Sequence, residues 1–152
     1  MASSVRVQTA DFDVGAELRA LQAARPMVGA SVSFVGYVRD VNDGAEVGAM
    51  FLEHYPGMTE RELHAIAAQA HARWPIIDTL IIHRVGELPA LAQIVLVAVT
   101  SAHRGDAFAA CEFIMDYLKT RAPFWKRERT TQGERWVDAR DSDTAAAARW
   151  QT

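Results

Sequence analysis

Residues Val99–Glu128 read VTSAHRGDAFAACEFIMDYLKTRAPFWKRE. The segment opens as the end of an apolar strand and turns through His103-Arg104. A helix is expected next, with Asp106 as its N-cap and its end near Thr120. Phe108, Cys111, Met115 and Leu118 form its apolar stripe, with Ile114 beside them. Pro123 then holds Ala122 extended. Beyond it the period changes to two: Phe124, Lys126 and Glu128 share one face of a strand, while Trp125, Arg127 and Arg129 share the other. Thr131-Gln132-Gly133 is a turn, and Glu134 to Val137 returns as a hairpin. The tail from Asp141 to Trp150 reads as a short helix anchored by Trp150.

The chain before this segment supplies the rest of the sheet. Ile94 to Thr100 is a nearly continuous aliphatic run, which suits a strand covered on both faces. Thr79 to Val85 is a strand whose His83 is expected to face solvent or a partner, and Gly86 to Gln93 connects the two. A helix is expected from Thr59, capped by that residue with Glu62 three positions on, and stopped by Pro75. Leu63, Ile66, Ala67, Ala70 and Trp74 lie on its buried face. From Gly29 the period is two; Gly36 interrupts it, and Tyr37-Val38-Arg39 follows. Asn42-Asp43-Gly44 is a turn, and Val47 to Tyr55 is expected to pair with the preceding strand as a hairpin. Near the start, Val5 to Val7 is a short strand, and Asp13 caps a helix from Val14 to about Ala24. This order predicts an α+β fold in which a mixed or largely antiparallel sheet carries packed helices. No linker composition divides residues 1–152, so one domain is expected, least defined by sequence over 1–28 and 141–152.

Charge is unevenly placed. The chain has 152 residues, 16 Lys+Arg and 19 Asp+Glu, for a net charge of −3. Between Lys119 and Arg129 stand five cations (Lys119, Arg121, Lys126, Arg127, Arg129) and one acid, Glu128. The stretch is locally +4 in a body that is −7. A small cationic patch on an acidic protein suits a small anion and argues against nucleic-acid binding, which needs a broad basic face. No apolar run reaches the roughly 20 residues that span a bilayer. The N-terminus has no apolar core of signal-peptide length, so a cytoplasmic protein is expected. A single Cys111 excludes an intrachain disulfide and a Cys-rich metal site, and its place on an apolar stripe suits an inert core thiol.

The sequence lacks a GxxxxGK[ST] phosphate loop, a GxGxxG fingerprint and a GxSxG elbow. No metal cluster and no cofactor motif is found. What remains is His103, Arg104, Lys119 and Lys126, with Arg39 and Arg127 as additions. Cations of this kind stabilise phosphate or oxyanion charge. A Lys crowded by other cations can also lose its proton readily enough to act as a base. On periodicity alone Lys119 equally suits a dipole-stabilised cation in a last helical turn, and Arg39 a solvated charge at a strand end. His54, His64, His71 and His83 read as surface or boundary residues. Two function classes fit these residues: an enzyme acting on a small anion, and a non-enzymatic module binding a phosphorylated ligand or an acidic peptide tail.

At these residues the chain resembles the catalytic (large) subunit family of molybdopterin synthase. The resemblance rests on GYVRD (Gly36–Asp40), LEHYPGMTE (Leu52–Glu60), RWP (Arg73–Pro75), VTSAHR (Val99–Arg104), FIMDYLKTRAPFWKRE (Phe113–Glu128) and RWVDAR (Arg135–Arg140). It covers about Gly29 to Trp150. The Leu88–Gln93 connection departs from it, lacking the Gly-acid turn of the family, and so does Gly105-Asp106, where small polar residues are usual. The resemblance implies an α/β hammerhead fold with a small β subdomain, and a homodimer. Each large subunit would bind a small ubiquitin-like sulfur-carrier subunit, giving a heterotetramer. The carrier's C-terminal Gly-Gly would bear a thiocarboxylate, and sulfur would pass to cyclic pyranopterin monophosphate (precursor Z), forming the dithiolene of molybdopterin. Lys119 and Lys126 would be the catalytic pair. His103 and Arg104 would hold the substrate, with Arg39 supplied by the neighbouring subunit. Tyr37, Val38, Arg127 and Glu128 would line the same site through side chain or backbone.

Overall fold

The computed structural model describes residues 2–23, 25–42, 44–137 and 141–151, and all counts refer to these. The elements follow the chain as β1 (Ala2–Gln8), α1 (Val14–Gln22), β2 (Ala30–Tyr37), β3 (Val41–Asn42), β4 (Ala45–His54), α2 (Met58–Arg73), β5 (Ile76–Arg84), β6 (Gly86–Pro89), β7 (Gln93–Ser101), α3 (Arg104–Arg121), β8 (Phe124–Thr130), β9 (Gly133–Val137) and α4 (Asp141–Ala148). The class is α+β, as the order of elements predicts. No helix among the described residues is long and apolar enough to cross a membrane.

The aliphatic run becomes β7, an interior strand of a sheet ordered β1-β5-β7-β2. Every residue from Ile94 to Ser101 is buried. Alternation sends Val95, Val97 and Val99 into the larger core with Leu63, Ile66, Ala110 and Ile114 from α2 and α3. Leu96 and Ala98 face the other way, onto Leu18 and Leu21 of α1. Both faces are therefore covered, which an uninterrupted apolar strand requires. β1 joins β5 in parallel, and the other pairings in this sheet are antiparallel.

The expected hairpin between β2 and the following long strand does not form. β2 takes the open edge of β7, from Ala30↔Ser101 to Tyr37↔Gln93. β4 instead builds a second sheet, ordered β3-β4-β8-β9, with β6 also paired to β4. The chain reverses through the short β3–β4 pairing, Val41↔Glu46. Asp43 of the expected turn lies outside the described residues, as do Ala24 of the first helix and Asp138–Arg140 of the RWVDAR segment. The difference lies in β4, whose residues 49–52 are hydrogen-bonded on both sides, by β6 and β8, and so have no edge left for β2.

Two helix starts also differ from expectation. α2 begins after Gly57, at φ 86°, and the Glu60 carboxylate accepts from the Gly57 N–H at 3.1 Å. Thr59 lies inside the first turn, where its hydroxyl accepts from the Tyr55 N–H at 2.9 Å and donates to the Pro123 carbonyl at 3.2 Å. Glu62 pairs with Arg121 at 2.6 Å. The residues expected to cap α2 thus tie it to the α3–β8 corner. α3 starts at Arg104 with His103 as its cap, so Asp106 falls in the first turn. Its buried face carries Ala107, Ala110, Cys111, Ile114 and Leu118, and leaves Phe108 60% exposed. The tail is anchored as expected: Trp150 meets Trp74 and Phe113 edge-on, and its indole N–H donates to Asp116 at 2.7 Å.

The Leu88–Gln93 connection folds without the glycine turn. Leu91 takes the left-handed conformation itself, at φ 72°, and donates its N–H to the Val38 carbonyl at 2.7 Å. A branched side chain is strained at such an angle. The contact it supports closes the connection onto the end of β2, where the candidate site begins.

Candidate functional site

Four local features converge at the junction of the two sheets. On β8 the strand alternation turns Lys126 and Glu128 inward and Arg127 outward, as the sequence predicts. The last turn of α3 brings Leu118 and Lys119 to the same place. A bulge at Gly36/Tyr37 breaks the pairing of β2 with β7 and swings Tyr37 and Arg39 over it. Bulges re-aim side chains in this way beside many sites. β5, β4 and β7 supply the floor through His83, Met50 and Ile94, and α4 adds Asp143. Together they enclose a cavity of about 180 Å³.

The electrostatics centre on the two lysines. Burial holds the Lys126 amine down to about 8, helped by the charge of Lys119 and by a hydrogen bond from it; Asp143 and Glu128 pull the other way. Burial disfavours an ammonium, and a second cation nearby disfavours it further. Lys126 is therefore poised to exchange a proton near neutral pH, while Lys119 stands exposed at the cavity rim. The Glu128 carboxylate is 2% exposed and accepts from the Arg135 guanidinium at 3.2 Å. Lysine, arginine and a fixed carboxylate around one cavity can bind an anion, stabilise charge and move a proton.

The structure divides the residues selected from sequence. It brings together Tyr37, Arg39, Lys119, Lys126 and Glu128. Arg39 lines the cavity of its own chain, so it need not come from a neighbouring subunit. Val38 is fully buried, with its N–H donated to the Ala92 carbonyl at 2.9 Å and its carbonyl accepting from Leu91. Neither its side chain nor those backbone groups face the cavity. Arg127 turns away, with its guanidinium 4.9 Å from the Phe51 ring centre and 5.7 Å from that of Trp136. Arg121 pairs with Glu62, and Arg129 with Glu87 and Glu134. Of its five cations, the +4 stretch thus delivers only Lys119 and Lys126 to the cavity. His103 and Arg104 are exposed at the opposite end of α3, about 22 Å from Lys119 at 1.5 Å per helical residue. They do not reach this cavity within one chain.

Sequence reasoning missed His83. It is 2% exposed and forms part of the cavity wall rather than facing solvent. The signal was present: in TLIIHRV, His83 shares its strand face with Ile81, which points into the larger core. Asp143 carried no such signal. Cys111 is buried as expected, and burial pushes its thiol up to about 12. Among the described residues no group of three His, Cys, Asp or Glu is placed to hold a metal ion.

With this geometry in hand, the relationship to known proteins is direct. Residues 7–121 match the MoaE protein family. The chain belongs to that family. A relative from Ralstonia nicotianae, a molybdopterin synthase catalytic subunit, is 65% identical over 147 residues, covering 97% of this chain and 84% of its own. The solved MoaE protein from Burkholderia ambifaria superposes with a TM-score of 0.85 at 61% identity, covering 99% of both chains. The fold extends to a protein–protein complex of subunits 1 and 2 of molybdopterin-converting factor from Helicobacter pylori, with a TM-score of 0.69 at 19% identity, covering 91% of this chain and 90% of that one. That last likeness concerns the fold alone.

Proposed function

We propose that this chain is the catalytic subunit of a molybdopterin synthase working in the cytoplasm. It takes sulfur from the C-terminal thiocarboxylate of a small ubiquitin-like subunit. It delivers that sulfur to cyclic pyranopterin monophosphate, and two such transfers give the dithiolene. The observation that carries this reading is the convergence of Lys119, Lys126 and Arg39 on one cavity of a MoaE chain. Lys119 assists attack by the thiocarboxylate sulfur and stabilises the charge that develops. Lys126 transfers the proton, Arg39 with Tyr37 holds the pterin phosphate, and Glu128 lines the same cavity with its carboxylate held by Arg135. Cys111, buried and with its thiol pushed up to about 12, is a poor sulfur carrier. Sulfur therefore arrives on another protein, and a thiocarboxylate tail supplies it.

The working unit is a homodimer with one carrier on each chain. His103 and Arg104 are exposed and distant from the cavity of their own chain. They serve the cavity of the second chain, where they complete the anion site. Mixing inactive Lys119→Ala chains with inactive Arg104→Ala chains tests this arrangement. Mixed dimers hold one intact site of two, so a re-associated equimolar mixture should recover about a quarter of wild-type molybdopterin formation. No recovery, with mixed dimers shown to form, contradicts the shared site. If even wild type binds a phosphorylated ligand in a salt-sensitive way but yields no pterin product, the chain is a binding module and not an enzyme.

A further inference from the structure

His83 has no task in the reaction set out above, yet it is built into the cavity wall. On β5 it stands opposite Val7 of β1 and Val95 of β7, so its backbone is fixed on both sides. Its ring stacks on Phe124 at 3.8 Å between centres and 17° between planes. Phe124 lies two residues before Lys126 on the same face of β8. Nδ1 is 2.8 Å from the Arg84 carbonyl oxygen. A carbonyl only accepts, so Nδ1 carries the proton, and in the neutral ring Nε2 holds the lone pair.

We propose that His83 is a positioning residue for the lysine pair: its fixed imidazole presents Nε2 as a hydrogen-bond acceptor to Lys126, and so sets where that amine points and when it gives up its proton. The inference rests on the reading of Lys126 as the proton-transfer group.

The charged surroundings favour a neutral ring. Lys126 and Glu128 come from β8, Lys119 from α3 and Asp143 from α4. Tyr37 and Arg39 follow from the end of β2. His54, on β4, also acts on the ring. Burial lowers His83 most; the Arg84 carbonyl pulls it up; Lys126, Lys119 and His54 lower it further, to about 3. A neutral acceptor beside an ammonium favours the charged amine. His83 therefore opposes the burial and the Lys119 charge that drive Lys126 down. Without the acceptor, Lys126 should lose its proton at lower pH still.

The test follows the Lys126 amine by NMR titration of the whole chain without substrate. His83→Phe keeps an aromatic ring against Phe124 and removes the acceptor, whereas His83→Gln retains a carbonyl acceptor. Lys126 should titrate about one pH unit lower in His83→Phe, the size of one charge-assisted hydrogen bond. In His83→Gln it should stay near wild type, and the acid limb of the turnover profile should move with the amine in each variant. An unchanged Lys126 titration in folded His83→Phe overturns the proposal. Wild type gives a second measurement that needs no variant: the Nε2 nitrogen resonance of His83 should move as Lys126 titrates near pH 8. A resonance that stays flat there overturns the proposal equally. If both NMR effects appear while wild type makes no molybdopterin, the coupling stands and the sulfur-transfer reading fails.

Discussion

Lys119→Ala should lower molybdopterin formation at least 10²–10³-fold, about the cost of removing one well-placed charge-stabilising donor. The chain should still fold and still bind its carrier. Lys119 is exposed in the last turn of α3, and alanine is the best helix former for that place. The loss acts twice. The substitution removes the cation at the cavity rim. It also removes the neighbour whose charge and hydrogen bond help to hold Lys126 down. Lys126 therefore titrates higher in the variant, and the neutral fraction that can accept a proton shrinks. Product assays with saturating carrier, alongside calorimetry of carrier binding, separate chemistry from assembly. Turnover retained at more than a tenth of wild type would remove Lys119 from the mechanism.

The second large effect belongs to Lys126. With its amine at about 8, the neutral form that accepts a proton grows as pH rises. The single-turnover rate should therefore climb through pH 8 and level off above it. Lys126→Arg keeps the charge but has no accessible neutral form, so it should lose about 10²–10⁴-fold at every pH tested. The same residue has an opposite effect on stability. An unfolded lysine titrates near 10.5, above the folded value, so the unfolded chain holds the proton more tightly. That penalty on folding is fully present below about pH 8 and fades as pH rises to about 10.5. Lys126→Met should then stabilise the chain at neutral pH, by on the order of 2–3 kcal/mol, while abolishing activity. Urea unfolding of wild type and variant at pH 7 and pH 10 checks the sign: the gap should narrow at the higher pH. A variant less stable than wild type at pH 7 would mean that the Lys126 stem contributes more packing than its charge costs.

Much of this site was legible in the chain itself. The alternation after Pro123 placed Lys126 and Glu128 on one face and Arg127 on the other, because a strand offers only two sides. The unbroken run from Ile94 marked a strand covered on both faces. Strand partnership was harder. The turn residues after β2 pointed to a hairpin with β4, but which edges are free depends on the whole sheet, and β6 and β8 take both sides of β4. Charge was also harder than it looked. Five cations close in sequence suggested one patch, whereas Arg121, Arg127 and Arg129 found acids on the outer surface. His103 and Arg104 stand with Lys119 among the residues that the sequence selects, yet a helix length separates them within one chain, and periodicity within one chain cannot reveal a site of the kind proposed, shared between two. His83 was misplaced by its polarity, although the face it shares with Ile81 pointed inward.

The central claim is that this cavity transfers sulfur, and a single turnover tests it most directly. The chain would be mixed with thiocarboxylated carrier and cyclic pyranopterin monophosphate, and molybdopterin counted as its fluorescent oxidation product. Wild type should form product in proportion to carrier, two carriers consumed for each molecule. Carrier that binds and keeps its sulfur, with no molybdopterin formed, would contradict the account.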